Sequence, residues 1–263
     1  MKSILEFARA RREERPVVVV AAYDALMARL LAASEADAIL VGDSVAMVVH
    51  GHPDTVHATP EMMALHTAAV RRGAPDAVII TDMPFLSVRS GRSQAVLVAG
   101  EQMRAGATAV KIEGVAGHED IIAHLVGSGI PVMGHLGLTP QSIHQLGGHR
   151  VQARSVDGAL RLRHEAKLLE KLGAFAVVLE CVPAALAAEV TRDLDIPTIG
   201  IGAGPDTAGQ VLVLSDLLGM DASFRPAFAR RYFDGAETVV AAINAFVRDV
   251  RGAKFPAGRE IIA

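Results

Sequence analysis

In "TAVKIEG", Thr108 to Gly114, two charges fall inside apolar, strand-like sequence. A strand points alternate side chains to opposite faces, so Lys111 and Glu113 share one face and Val110 and Ile112 the other. Opposite charges turned the same way on an interior strand call for a place where a buried face becomes polar. The neighbouring sequence supplies that place. Runs of strand length recur on either side: Val17–Ala22, Ala38–Asp43, Ala77–Asp82, Thr108–Glu113, Pro131–Leu136, Phe175–Glu180, Pro197–Gly202 and Val211–Asp216. They are near-continuous in Val, Ile and Leu, the pattern of strands covered on both sides. Helix-like segments separate them.

Strand alternating with helix eight times predicts a parallel α/β fold, and eight units favour a (β/α)8 TIM barrel over an open doubly wound sheet. The length of 263 residues suits one such barrel and is read as a single domain, residues 1–263. Thr59-Pro60 predicts a capped helix start and Gly73 its stop. Asp157 is a candidate cap for the helix ending at Gly173, and Pro183 opens another. Residues 3–14 predict an extra N-terminal helix under the barrel. "PAFARRYF" (226–233) and "GAETVVAAINAFVRDVRGA" (235–253) predict C-terminal helices. Only 203–210 separate the last two strands, too short for a full helix.

Composition narrows the function classes. Hydrophobic residues make up 51% and charged residues 21%, enough for a large core. A net charge of -3 with 4% aromatics and no Trp gives no case for nucleic acid or an anionic membrane. Cys181 is the one cysteine, so an intramolecular disulfide is impossible, which fits a reducing, cytoplasmic setting. "MKSILEFARARREERP" lacks the continuous apolar core of a signal peptide.

Polar residues close most of the apolar runs: Asp43-Ser44, Asp82, Lys111 with Glu113, His135, Glu180 and Asp216. In a parallel barrel all carboxyl ends lie on one rim, where such enzymes place their chemistry. Asp43, Asp82 and Glu113 come from three consecutive strands. Crowded carboxylates repel one another. A hard dication resolves the conflict, and oxygen donors without a Cys or His cluster suit Mg2+ better than Zn2+. Glu180, closing "FAVVL", is a candidate general base. Taken singly, each residue also has a structural reading. Asp43 or Asp82 could cap a helix, Lys111 and Glu113 could form an ion pair, and His135 could be a hydrogen-bonded core residue. Cys181 reads as a small buried residue. "GIGAG" (200–204) fits a tight turn or a phosphate-binding corner.

The stretches "AAYD" (21–24), "LVGDS" (40–44), "HTAAVRRGAP" (66–75), "TDMPF" (81–85), "RAGATAVKIEG" (104–114), "PVMGHLGLTPQS" (131–142), "VVLECVP" (177–183) and "IPTIGIGAG" (196–204) resemble the ketopantoate hydroxymethyltransferase family, in family order. The resemblance implies a TIM barrel that moves a hydroxymethyl group from 5,10-methylenetetrahydrofolate to 3-methyl-2-oxobutanoate, in pantothenate and coenzyme A biosynthesis. It also implies Mg2+ and a homo-oligomer, usually a decamer. The family's metal positions fall on Asp43, Asp82 and Glu113. Its substrate contacts fall on Asp43, Ser44, Asp82, Lys111 and His135, and its proton acceptor falls on Glu180. The chain departs at Val45-Ala46, where the family often has Leu-Gly, and at Val56-His57-Ala58, where Leu-Pro-Val is common. Two other readings stand beside this one: a Mg2+-dependent 2-oxo acid aldolase or lyase that does not use folate, and a non-catalytic barrel.

Overall fold

The computed structural model describes residues 3–222 and 226–258. In chain order the elements are α1 (Leu5–Arg12), β1 (Val17–Ala21), α2 (Ala25–Ala32), β2 (Ala38–Val41), α3 (Val45–Val48), α4 (Pro60–Gly73), β3 (Val78–Asp82), α5 (Arg92–Ala105), β4 (Ala109–Glu113) and α6 (Glu119–Gly127). There follow β5 (Val132–Gly137), α7 (Ile143–Leu146), α8 (Val156–Lys171), β6 (Ala176–Glu180), α9 (Ala184–Asp193), β7 (Thr198–Ile201), β8 (Gly209–Val213), α10 (Leu214–Leu217) and α11 (Gly235–Arg251). The eight strands form a closed parallel barrel in sequence order. The Val17 N–H donates to the Ala208 carbonyl at 3.0 Å beside the β1–β8 seam.

The alternation in "AVKIE" sorts as expected. Val110 and Ile112 pack in the apolar layer with Val98 of α5 and Ile122 and Leu125 of α6. Lys111 is buried as well, but outside that layer. Helix α4 shows how a surrounding helix is specified. The Thr59 hydroxyl accepts from the Met62 N–H at 3.2 Å and Pro60 takes the first helical position. Met63, Thr67 and Val70 then recur at helical spacing on the buried face. Helix α1 seats Phe7 against Phe175, just before β6, with ring centroids 5.2 Å apart and edge-on. It thus covers the amino end of the barrel.

Three boundaries differ from the sequence reading. The eighth strand is Gly209–Val213, and Leu214–Leu217 wind into α10, so Asp216 belongs to a helix and not to a strand end. A side chain at 209 would collide with the Val17 carbonyl, so β8 starts on a glycine that no apolar run announces. Ser155 caps α8, its hydroxyl accepting from the Gly158 N–H at 3.1 Å, while Asp157 lies inside the first turn. Of "PAFARRYF", residues 226–233 form turns and irregular chain.

The chain divides into two compact units, 1–212 and 213–263. In the second, the Tyr232 and Gly235 N–H groups donate to the Leu217 and Leu218 carbonyls, each at 2.9 Å. No helix among the described residues is long and apolar enough to cross a membrane.

Candidate active site

The carboxyl ends of β2 to β6 bring the predicted residues into one connected array. Register explains it. Asp82 ends β3 directly beside Lys111 of β4, and Glu113 ends β4 beside His135 of β5. Lys111 Nζ lies 2.9 Å from Asp82 Oδ1 and donates to His135 Nδ1 at 3.1 Å. His135 Nδ1 is also 3.4 Å from Glu113 Oε1, and His135 Nε2 is 3.1 Å from Glu180 Oε2. Asp43 joins through its backbone N–H, which donates to Asp82 Oδ2 at 3.0 Å. Asp43, Asp82, Lys111 and His135 are each no more than 4% exposed. Charges so deep survive only when paired.

The final turn of β5 places Glu180. Gly137 has φ +94, and a side chain there would strike the Glu180 carbonyl. Its absence lets the Leu138 N–H reach that same carbonyl at 2.8 Å, locking the ends of β5 and β6 together. Ser44 stands at the entrance of α3, and its hydroxyl shares a 2.8 Å hydrogen bond with the Tyr23 hydroxyl. Gly202 and Gly204 of "GIGAG" take positive φ in the loop after β7, as a tight turn requires.

The electrostatics follow from burial among acids. Desolvation first, then the charges of Asp82 and Glu113, lift the Asp43 pKa well above 3.8. Burial opposes charge on Lys111, yet Asp82, Glu113 and Asp43 together raise its pKa above 10.5, so it is an ammonium. Burial and Lys111 push His135 down, but its contacts with Glu113 and Glu180 prevail and raise it from 6.5 to about 9. The 3.1 Å contact from the ammonium needs a lone pair on Nδ1 and so belongs to the neutral ring, with its proton on Nε2 facing Glu180; the imidazolium favoured below about pH 9 has no such lone pair. A second proton on Nδ1 would turn that nitrogen toward Glu113 at the expense of Lys111.

Could this array hold Mg2+? Among the described residues no three His, Cys, Asp or Glu side chains form a ready-made metal cage. Mg2+ does not ask for one, since it keeps several waters and takes one or two carboxylates plus substrate oxygens. The donors fit. Glu113 Oε1 is buried without a hydrogen-bond partner among the described residues, and Asp82 Oδ1 has the Lys111 ion pair alone. Burial first, and then repulsion from Asp82 and Glu113, lift Asp43, and a dication would relieve the repulsion.

The structure adds residues that the sequence did not single out. Gln141 reaches Asp43 from the loop after β5, its side-chain Nε2 donating to Asp43 Oδ2 at 2.7 Å. Tyr23 fixes Ser44. Asp54 accepts from His57 Nδ1 at 2.8 Å and lies 3.0 Å from His144 Nε2, tying the β2–α4 loop to α7. His57 occupies one of the departures from the family wording, and its ring stacks on His52 at 4.6 Å. Ala46, another departure, is fully buried in α3.

A closed parallel barrel with an acid-rich carboxyl rim is the class defined by this fold and site. Solved structures share the barrel: 2,3-dimethylmalate lyase, a PEP mutase/isocitrate lyase superfamily member, aligns with TM-score 0.60 at 17% identity, over 100% of this chain and 92% of its own. Phosphonopyruvate hydrolase, in complex with oxalate and Mg++, aligns with TM-score 0.65 at 14% identity, over 100% and 94%. At those identities the likeness is one of fold. A family model described as ketopantoate hydroxymethyltransferase matches residues 2–258. The 3-methyl-2-oxobutanoate hydroxymethyltransferase of Bdellovibrio bacteriovorus is 49% identical over 260 residues, covering 99% of both chains. The chain belongs to the ketopantoate hydroxymethyltransferase family.

Proposed function

We propose that this chain transfers a hydroxymethyl group from 5,10-methylenetetrahydrofolate to 3-methyl-2-oxobutanoate, giving 2-dehydropantoate (ketopantoate) for pantothenate synthesis. The observation that carries this reading is the full-length likeness to relatives named for that reaction, joined to an intact base, cation and carboxylate set at the mouth. Asp43, Asp82 and Glu113 are the residues to hold Mg2+. Bound there, the metal would supply Lewis acidity to the 2-oxo group and so acidify the C3 proton.

The chain's own residues do the rest. The Ser44 hydroxyl, at the start of α3, orients the substrate carboxylate. Glu180 takes the C3 proton on its carboxylate, with His135 Nε2 lying 3.1 Å from Oε2. Lys111 keeps its charge and faces the oxygen on which negative charge develops, a contact that strengthens in the transition state. Burial of the array keeps water from the carbanionic carbon until the folate methylene receives it. A cytosolic location and a homo-oligomer, a decamer by likeness to the family, belong to the same reading.

The test is Mg2+-dependent deuterium exchange at C3 of 3-methyl-2-oxobutanoate, followed by proton NMR. Glu180→Gln should slow it by about 10²–10⁴-fold, the usual worth of a general base, while the oxo acid still binds. Unchanged exchange removes Glu180 from the base role. Adding methylenetetrahydrofolate to the wild type should then yield hydroxymethylated product; exchange without it would point to the folate-independent lyase.

A further inference from the structure

The loop after β5 returns to the mouth through Gln141, in the 3-10 turn Pro140–Ser142. Its side-chain Nε2 donates to Asp43 Oδ2 at 2.7 Å and to the Met83 carbonyl at 2.9 Å. Its backbone N–H donates to Glu113 Oε2 at 3.0 Å. A primary amide nitrogen has two donors, and both are used here. One neutral residue therefore spans the ends of β2, β3 and β4, touching two of the three carboxylates. In each it occupies a single oxygen. The Met83 carbonyl anchors the amide to the backbone, so Asp43 is pinned to the scaffold and not merely to another mobile side chain.

We propose that Gln141 is a positioning residue that fixes the rotamers of Asp43 and Glu113 for a divalent cation, which rests on the metal reading given above. A carboxylate with one oxygen tied down presents the other in a fixed direction. Glu113 Oε1, buried and without a hydrogen-bond partner among the described residues, is such an oxygen. Hydrogen-bond partners behind metal-binding side chains matter: their loss costs about 10–100-fold in metal affinity. The same bonds make cation binding and the seating of the 138–150 loop one event. The opposite role is also physically coherent. If the amide occupied the cation's own place on Asp43, its removal would tighten binding.

Mn2+ serves as a spectroscopic probe. Free Mn2+ is read by electron paramagnetic resonance as it is titrated into the wild type, Gln141→Ala and Gln141→Asn, whose amide is one methylene too short to span the gap. The wild type should bind; both variants should bind about tenfold or more weakly with an unchanged melting temperature. C3 exchange in the variants should return toward the wild-type rate as Mg2+ is raised, a response that a merely structural residue would not give. Variants that bind Mn2+ as well as the wild type, or better, overturn the positioning role alone. A wild type that binds no Mn2+ overturns the metal reading and this role with it.

Discussion

Two cations are drawn into the barrel, one near each end, and they are held by opposite means. Arg71, at the amino end, sits in the last turn of α4. Its Nε and Nη2 donate to the Gly106 carbonyl at 2.9 and 2.7 Å, and its Nη1 donates to the Pro75 and Ala77 carbonyls at 2.8 and 2.9 Å. These acceptors are neutral, and they include carbonyls that helix ends leave without partners. Burial pulls its pKa below the usual guanidinium value. Lys111, at the carboxyl end, lies among carboxylates and an imidazole, and its pKa is raised. The Arg71 partners are backbone carbonyls and the Thr108 hydroxyl, none of which changes charge. The Lys111 partners can change protonation or ligate a cation. The amino end therefore offers stability, and the carboxyl end offers charge that can be redistributed, which is the division expected of this fold.

Lys111→Ala attacks the comparison where the expected effect is greatest. Losing a preorganised cation at developing negative charge should lower turnover by about 10²–10³-fold. Melting followed by circular dichroism, with Mg2+ present, should move far less, because the dication still offsets the acids. A large fall in melting temperature with turnover nearly intact would make the Asp82–Lys111 pair structural, like Arg71.

How much of this contrast was legible beforehand depends on periodicity. Seven strands fall within two residues of their apolar runs because continuous Val, Ile and Leu leave little choice. The eighth slipped, since its start, Gly209-Gln210, is small and polar, while "VLVLSD" stays apolar after the chain has turned into α10. The acids and Lys111 were legible since a parallel barrel sends every strand end to one rim. Gln141 was not. It is neutral and lies in a loop, and its direction depends on the turn after Gly137, which no alternation encodes. Ser155 and Asp157 are both cap-forming residues, two positions apart, and only the backbone path selects the first.

Cys181 sharpens the contrast from the side of the field. It adjoins Glu180 with φ +47 and is half-buried. Burial first, and then the Glu180 charge, raise its thiol from 9.0 to about 11. A rim that favours an ammonium should disfavour a thiolate, and both shifts have that sign. A raised thiol pKa means less thiolate below it, so at pH 8 the folded protein should hold roughly a hundredfold less thiolate than the unfolded chain. Alkylation by iodoacetamide should be slower by a similar factor and keep rising with pH through pH 10. A plateau near pH 9 in the folded protein would show that the mouth lacks the negative field inferred from Lys111.

Arg71→Ala should have the smallest effect on chemistry and tests the other half of the comparison. The change strands several carbonyls that the guanidinium now satisfies, and hydrogen bonds from a charged group are worth more than neutral ones. A loss of about 2–4 kcal/mol is expected. At this chain length that corresponds to a melting temperature lower by roughly 5–15 °C. Turnover at a temperature where the variant is folded should stay near the wild-type value, since no Arg71 bond reaches the carboxyl rim. Arg71→Lys should recover only part of the stability, because a single ammonium cannot reproduce the planar fork that serves Gly106 and Ala77 together. If turnover instead fell in step with stability, the two ends would be coupled through α4 and β3, and the barrel could not be divided into a holding end and a reacting end.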